Sequence, residues 1–190
     1  MNWRHDDWGG DLPVVAAERV VLRPLSEGDT DSLFELFSDR EVMRFWSSLP
    51  MSSRDDAVAL LQEIRDHFAA RRLFQWGIAD RVSNQVVGTC TLLNLDYANL
   101  RAEIGFALNR RYWGTGLARE GVSALVAFAF DTLGLERIEA DTDPRNERCR
   151  RLLTRLGFRE EGLLRERWRV GGEVQDSLIL GLLKSEWTTD

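Results

Sequence analysis

Arg111-Tyr112-Trp113-Gly114-Thr115-Gly116-Leu117-Ala118 joins two different sequence patterns. Before it, Glu103-Ile104-Gly105-Phe106-Ala107-Leu108 is a short apolar run of the kind that forms a strand. After it, Val122, Leu125, Val126, Ala129, Phe130 and Leu133 recur at helical spacing between Ala118 and Leu133, and Gly134 supplies the stop. Arg137-Ile138-Glu139-Ala140-Asp141 reads as a strand again. Strand, glycine turn, helix and strand predict a βαβ unit with parallel strands.

A glycine turn that opens a helix suits a phosphate. Gly114 and Gly116 have no Cβ to hold a ligand off the main chain. The first helical turn offers unpaired amide N–H groups at the positive end of the helix dipole. Two glycines alone fit a plain tight turn equally well. Leu117-Ala118 stands where a nucleotide-triphosphatase loop needs Lys followed by Ser or Thr. Arg119 stands where a dinucleotide fingerprint needs its third small residue. What remains is Arg111-x-x-Gly114-x-Gly116.

That pattern resembles the acetyl-coenzyme A signature of the GNAT superfamily of N-acetyltransferases. Four further stretches resemble its ribosomal-protein N-terminal acetyltransferase (RimJ/RimL-like) branch: Thr91 to Asp96, Arg101 to Phe106, Asp143-Pro144-Arg145-Asn146 and Leu156 to Gly162. The likeness covers roughly Glu18 to Trp187. It implies an α+β fold with a mixed, mostly antiparallel central sheet flanked by helices. Two central parallel strands splay apart, and the thioester lies in the gap. It implies acetyl-CoA as cosubstrate, with no metal.

Composition bounds the rest. At 190 residues, 44% hydrophobic and 29% charged, the chain fits one globular domain. We expect residues 1–17 to be an N-terminal arm, with Trp3 or Trp8 free to dock on the body, and residues 18–190 a single domain. A net charge of -6 argues against a nucleic-acid partner and suits a cationic amine. Cys90 and Cys149 form no CxxC pair and share no metal-ligand spacing with His5 or His67. A reduced, cytoplasmic setting follows as the expectation. No apolar run is long enough for a bilayer span.

In chain order, Arg19 to Leu25 reads as the first strand, and Ser26 with Asp29 caps a helix carrying Leu33, Phe34 and Phe37. A short helix follows near Glu41, then a loop at Trp46 to Met51. Ser53 with Asp56 caps the next helix. Leu73 to Ala79 and Gln85 to Leu95 predict an antiparallel hairpin, extended by Arg101 to Leu108. Glu147 to Leu156 is a helix, and Phe158 to Val170 with Glu173 to Leu183 a final hairpin about Gly171-Gly172. Monomer and homodimer both fit.

Acyl transfer from a thioester to an amine requires positioning, a neutral amine and a donor for developing oxyanion charge. By resemblance, the backbone of Phe106, Ala107 and Leu108 holds the pantetheine arm, and an amide there is the oxyanion donor. The amides of Gly114, Thr115, Gly116, Leu117 and Ala118 take the diphosphate. Arg111 is a side-chain cation for the phosphates, or else a solvated surface arginine. Glu103 is the candidate general base, or an anchor for the amine cation; both roles use one geometry. Asn146 hydrogen-bonds the pantetheine arm, caps a helix, or does both. Cys149 stands where the branch more often has Ser near the departing sulfur; it is a weak proton donor or a small buried filler. Leu153 occupies the place of the tyrosine acid found in many superfamily members. By resemblance, Trp46 and Trp168 fall where the family's acceptor pocket is built, as pocket walls or else as core or rim residues. The acceptor is a primary amine, with a ribosomal-protein N-terminus implied. A small-molecule amine, or a non-catalytic acyl-CoA sensor, is the alternative.

Overall fold

The computed structural model describes residue 8 and residues 10–188. Its strands are β1 (Val15–Ala16), β2 (Val20–Arg23), β3 (Phe74–Asp80), β4 (Val86–Asp96), β5 (Arg101–Leu108), β6 (Arg137–Thr142), β7 (Arg159–Val170) and β8 (Glu173–Leu183). The helices are α1 (Thr30–Ser38), α2 (Arg40–Met43), α3 (Arg54–Ala69), α4 (Leu117–Asp131) and α5 (Glu147–Arg155). One sheet holds all eight strands in the order β1-β2-β3-β4-β5-β6-β8-β7. Every neighbouring pair is antiparallel except β5 and β6. Among the described residues no helix is long and apolar enough to cross a membrane.

Alternation of side chains sorts the two faces of this sheet. Ala102 and Ile104 of β5 and Ile138 and Ala140 of β6 join the main core, against which α4 buries Val122, Leu125, Val126, Ala129 and Phe130. Glu103 of β5, and Glu139 and Asp141 of β6, lie on the other face and are only half-buried. There Leu33, Leu36 and Phe37 of α1 gather with Met43, Ala57 and Ala107 in a second cluster. The sheet therefore has a greasy side and a side whose centre is acidic.

Within the stretch expected as an N-terminal arm, residues 12–16 make contacts with the body. Val15 and Ala16 pair with Leu22 and Val21, Leu12 is buried, and the Trp76 indole N–H donates to the Pro13 carbonyl at 2.8 Å. Trp8 packs edge-on against Phe74 at 5.3 Å between ring centroids. An apolar residue that finds an open flank on the core stays there, whatever the polarity of its neighbours in sequence. Trp3 lies outside the described residues.

The capping reading at Ser26 and Asp29 extends to a half-buried ion pair. Asp29 accepts from the Ser26 amide and hydroxyl, each at 2.8 Å, and from both terminal nitrogens of Arg23 at 2.8 and 2.9 Å. Burial pushes the Asp29 carboxyl up, but the Arg23 guanidinium and the Ser26 donors outweigh it and hold it below the usual carboxylate range. A depressed folded-state value gives stability above the unfolded carboxylate's pKa, lost as pH falls through the folded one. Asp29→Ala is expected to cost about 2–3 kcal/mol at neutral pH, since it strands a desolvated guanidinium. Urea denaturation at pH 7 and again near pH 3 checks this; the gap between the two proteins must narrow at the lower pH.

Candidate functional site

The parallel partners β5 and β6 are in register only at Arg101↔Arg137, Ala102↔Ile138 and Glu103↔Glu139. Beyond Glu103, β5 continues five residues to Leu108 and β6 three residues to Thr142, with no pairing between them. The two strands diverge as expected for the splayed pair. Main-chain groups along Ile104 to Leu108 that would otherwise bond to β6 thus face a gap rather than a partner. A cleft of about 420 Å³ opens there.

Glu103 sits at the point of divergence. Its Oε2 accepts a 2.8 Å hydrogen bond from the Asn94 side-chain amide. This partner exists because β4 breaks register between Leu93 and Asp96, with Asn94 in the left-handed region at φ +50°. Asn tolerates that conformation better than most residues, and a bulge there re-aims its side chain. Burial pushes the Glu103 carboxyl up; Asn94 pulls it down, the carboxylates of Asp141 and Glu139 push it up, and the Arg167 guanidinium pulls it down. The net direction is upward from the ordinary carboxylate value.

The neighbouring carboxylates are already paired. Glu139 bonds Arg101 at 3.0 Å and Arg137 at 2.9 Å, and Asp141 bonds Arg167 at 3.2 Å. Arg167 lies 5.6 Å from the Trp168 ring, whose indole N–H donates to Ser177 Oγ at 3.0 Å. Asp143 is held by Arg145 at 2.6 Å. At the floor, Glu103 is the carboxylate whose hydrogen-bond partner is neutral.

Trp46, Glu103, Phe106, Asn146, Cys149 and Trp168 all line this cleft. Trp46 stacks edge-on against Phe37 at 5.5 Å. Asn146 caps α5, its Oδ1 accepting from the Cys149 amide at 3.2 Å. Burial pushes the Cys149 thiol up to about 11, against a weaker downward pull from the Thr142 hydroxyl. A thiol so placed stays protonated at neutral pH.

The remaining candidates lie elsewhere. Ala107 is buried in the second cluster, and the Leu108 carbonyl already accepts from the Trp113 indole N–H at 2.8 Å. The glycine turn lies at the far end of β5, past Leu108. Along a strand that is about 17 Å from Glu103, so turn and carboxylate address opposite ends of any ligand laid along the gap. Gly114 and Gly116 have φ +79° and +87°, and a Cβ built at Gly114 would meet nothing within 4 Å. Gly116 is the N-cap of α4, so the turn delivers the amides of Leu117 and Ala118 at the open helix end. A glycine cradle of this shape fits a diphosphate.

Arg111 forms an ion pair with Glu35 of α1. The guanidinium beside the turn is that of Arg19, which donates to the Thr115 carbonyl at 3.0 Å and to Glu120 at 2.8 Å. Its separation in sequence from the turn left no local signal. Asn94 left a faint one, since Asn is uncommon inside a strand and tolerates the left-handed region. Asp141 and Arg167 were visible only as strand charges.

Comparison with known proteins agrees with this geometry. A family model described as "Acetyltransferase (GNAT) domain" matches residues 19–159. The chain is 36% identical over 176 residues to the uncharacterized N-acetyltransferase p20 of Bacillus licheniformis, covering 93% of this chain and 99% of that protein. It is 24% identical over 183 residues to the [ribosomal protein uS5]-alanine N-acetyltransferase of Escherichia coli K12, covering 92% of each. Among solved structures, the spermidine N-acetyltransferase from Vibrio cholerae in complex with CoA and spermine is similar at a TM-score of 0.78 and 25% identity. That match covers 88% of this chain and 97% of the other.

Proposed function

The chain belongs to the GNAT acetyltransferase family, and from that premise we propose that this N-acetyltransferase takes the N-terminal amine of a protein as its acceptor. The single observation that supports a monocationic acceptor is the state of the carboxylates. Glu139, Asp141 and Asp143 are neutralised by arginines, whereas Glu103, at the point where β5 and β6 part, accepts from the neutral Asn94 amide. One uncompensated charge at that point matches one ammonium group. The ribosomal-protein relative supports the same acceptor class.

A polyamine is the second reading, favoured by Asp176. It lines the cleft nearer the β7–β8 hairpin and accepts only from the Glu166 amide, at 2.8 Å, giving a second anionic point. Steady-state assays of thiol release, with an Ala- or Ser-initiated peptide and with spermidine, separate the two. A higher kcat/KM for the peptide is the expected result; a higher value for spermidine overturns the assignment.

Acetyl-CoA supplies an acyl group already activated as a thioester, so no covalent adduct on the protein is needed. Glu103 holds the incoming ammonium and, with its raised pKa, takes its proton at a lower cost than an ordinary carboxylate would. Main-chain amides along Phe106 to Leu108 orient the arm in the gap, and the turn from Gly114 to Ala118 grips its phosphorylated end. Arg19, paired with Glu120, holds the Thr115 carbonyl of that turn, and Arg111 beside it is paired with Glu35. Asn146 fixes the start of α5 beside the gap.

Cys149 is a poor acid for the departing sulfur. Its thiol, at about 11, lies above an ordinary thiol, so proton transfer from it to a thiolate runs uphill. Water is the better donor. Cys149→Ala is expected to lower kcat by less than about tenfold, well short of the effect of removing an acid or base. Single-turnover measurement of thiol release checks this, and a larger loss would restore the thiol to the chemistry.

A further inference from the structure

Two glutamines in the cleft have no role so far. Gln75 on β3 is 8% exposed and Gln175 on β8 is 5% exposed. Both line the same cleft as Glu103. Neither carboxamide has a hydrogen-bond partner among the described residues, and neither is cut off from solvent as His67 Nδ1 or Trp187 Nε1 is. Native interiors seldom leave such groups unpaired. An open cleft is where a ligand pairs them.

Their placement is symmetrical about the reacting point. In the sheet order β3-β4-β5-β6-β8, each glutamine lies two strands from β5. Gln75 pairs in register with Thr91, and Thr91 with Gly105, two residues along β5 from Glu103. Gln175 pairs with Trp168 across the final hairpin. An acceptor whose amine meets Glu103 therefore has a carboxamide on either flank.

We infer that Gln75 and Gln175 read the main chain of the acceptor, hydrogen-bonding the first peptide units behind its N-terminal amine. This rests on the protein N-terminus reading given above and specifies how the same cleft would enforce it. A carboxamide offers two N–H donors and one carbonyl acceptor, the complement of a peptide unit with its own carbonyl and N–H. A polyamine offers donors alone. Its binding would leave both carboxamide NH₂ groups desolvated and unpaired, and sites built on such hydrogen bonds reject analogues that lack the partner.

The test compares a tripeptide beginning with Ala and its ester analogue, in which oxygen replaces the first peptide N–H. Both are assayed for acetylation by the wild-type protein, Gln75→Leu and Gln175→Leu. The wild type is expected to favour the amide by about tenfold in kcat/KM, the value of one well-formed hydrogen bond. One of the two variants is expected to lose that preference, through a fall on the amide with little change on the ester. A glutamine that merely shapes the fold would lower both substrates alike. Thermal melting and CoA titration confirm that each variant is folded and loaded. Wild-type turnover of the peptide with no amide preference, or with a preference both variants keep, overturns the glutamine assignment and leaves the acceptor reading standing. Wild-type turnover of spermidine with none of the peptide overturns both.

Discussion

Glu103→Gln is expected to lower kcat by about 100- to 10,000-fold, the range typical of a lost general base. The substitution keeps the shape of the side chain and the partner Asn94, and removes only the proton acceptor. The pH profile gives the sharper signature. Glu103 must be ionised to take a proton, and burial with the nearby Asp141 and Glu139 raises its pKa. The acidic limb of kcat/KM in the wild type should therefore lie above the ordinary carboxylate range, and it should vanish in the variant. The stability effect has the opposite sign to the activity effect. A raised folded-state pKa means that the fold favours the protonated form, and stability from that source is lost as pH rises through it. At neutral pH the neutral glutamine should melt no lower than the wild type, with any gain disappearing in acid. A variant that retains the acidic limb would show that the limb belongs to another group.

Gly116→Val is expected to weaken CoA binding by about 100-fold or more, roughly 2.7 kcal/mol. Two effects combine there. At φ +87° a β-branched residue is strained, and its Cβ would stand 3.1 Å from Arg19 Nη2. The nearest obstacle is the flexible end of a side chain, which can shift, so the fold should survive. The amides of the α4 N-terminus would no longer present an open cradle. Gly134→Ala is the matched control: φ is +71°, nothing lies within 4 Å of its Cβ, and it follows the C-terminal end of α4. It imposes a similar backbone strain with no expected change in affinity. Calorimetric titration with CoA decides the matter, and undiminished binding by a folded Gly116→Val protein would move the diphosphate elsewhere.

Much of the candidate site was legible in the sequence because its pieces are short-range. The glycine turn is encoded within three residues, since a turn at positive φ that opens a helix admits few alternatives to glycine. Glu103 was placed on one face with Gly105 and Ala107 by the two-residue repeat of a strand. Asn146 was legible as a helix cap from its position before Glu147. The environment of Glu103 was not legible in this way. Its partner Asn94 depends on a bulge, and its acidic neighbours Glu139 and Asp141 arrive on a strand separated by the whole of α4. Arg111 shows what local reading leaves out. A cation beside a phosphate motif looks assigned, yet Glu35 from α1 takes its charge, and Arg19 stands by the turn instead.

The amino-acid sequence by itself determined the order of strands and helices from β2 onward, the glycine turn and the superfamily, because hydrophobic period and main-chain conformation are properties of neighbours in the chain. Only the tertiary structure decided which carboxylate remains uncompensated and which carboxamides wait unpaired. Charge balance and hydrogen-bond satisfaction in a cleft depend on distances between segments far apart in sequence, and folding alone brings those segments together.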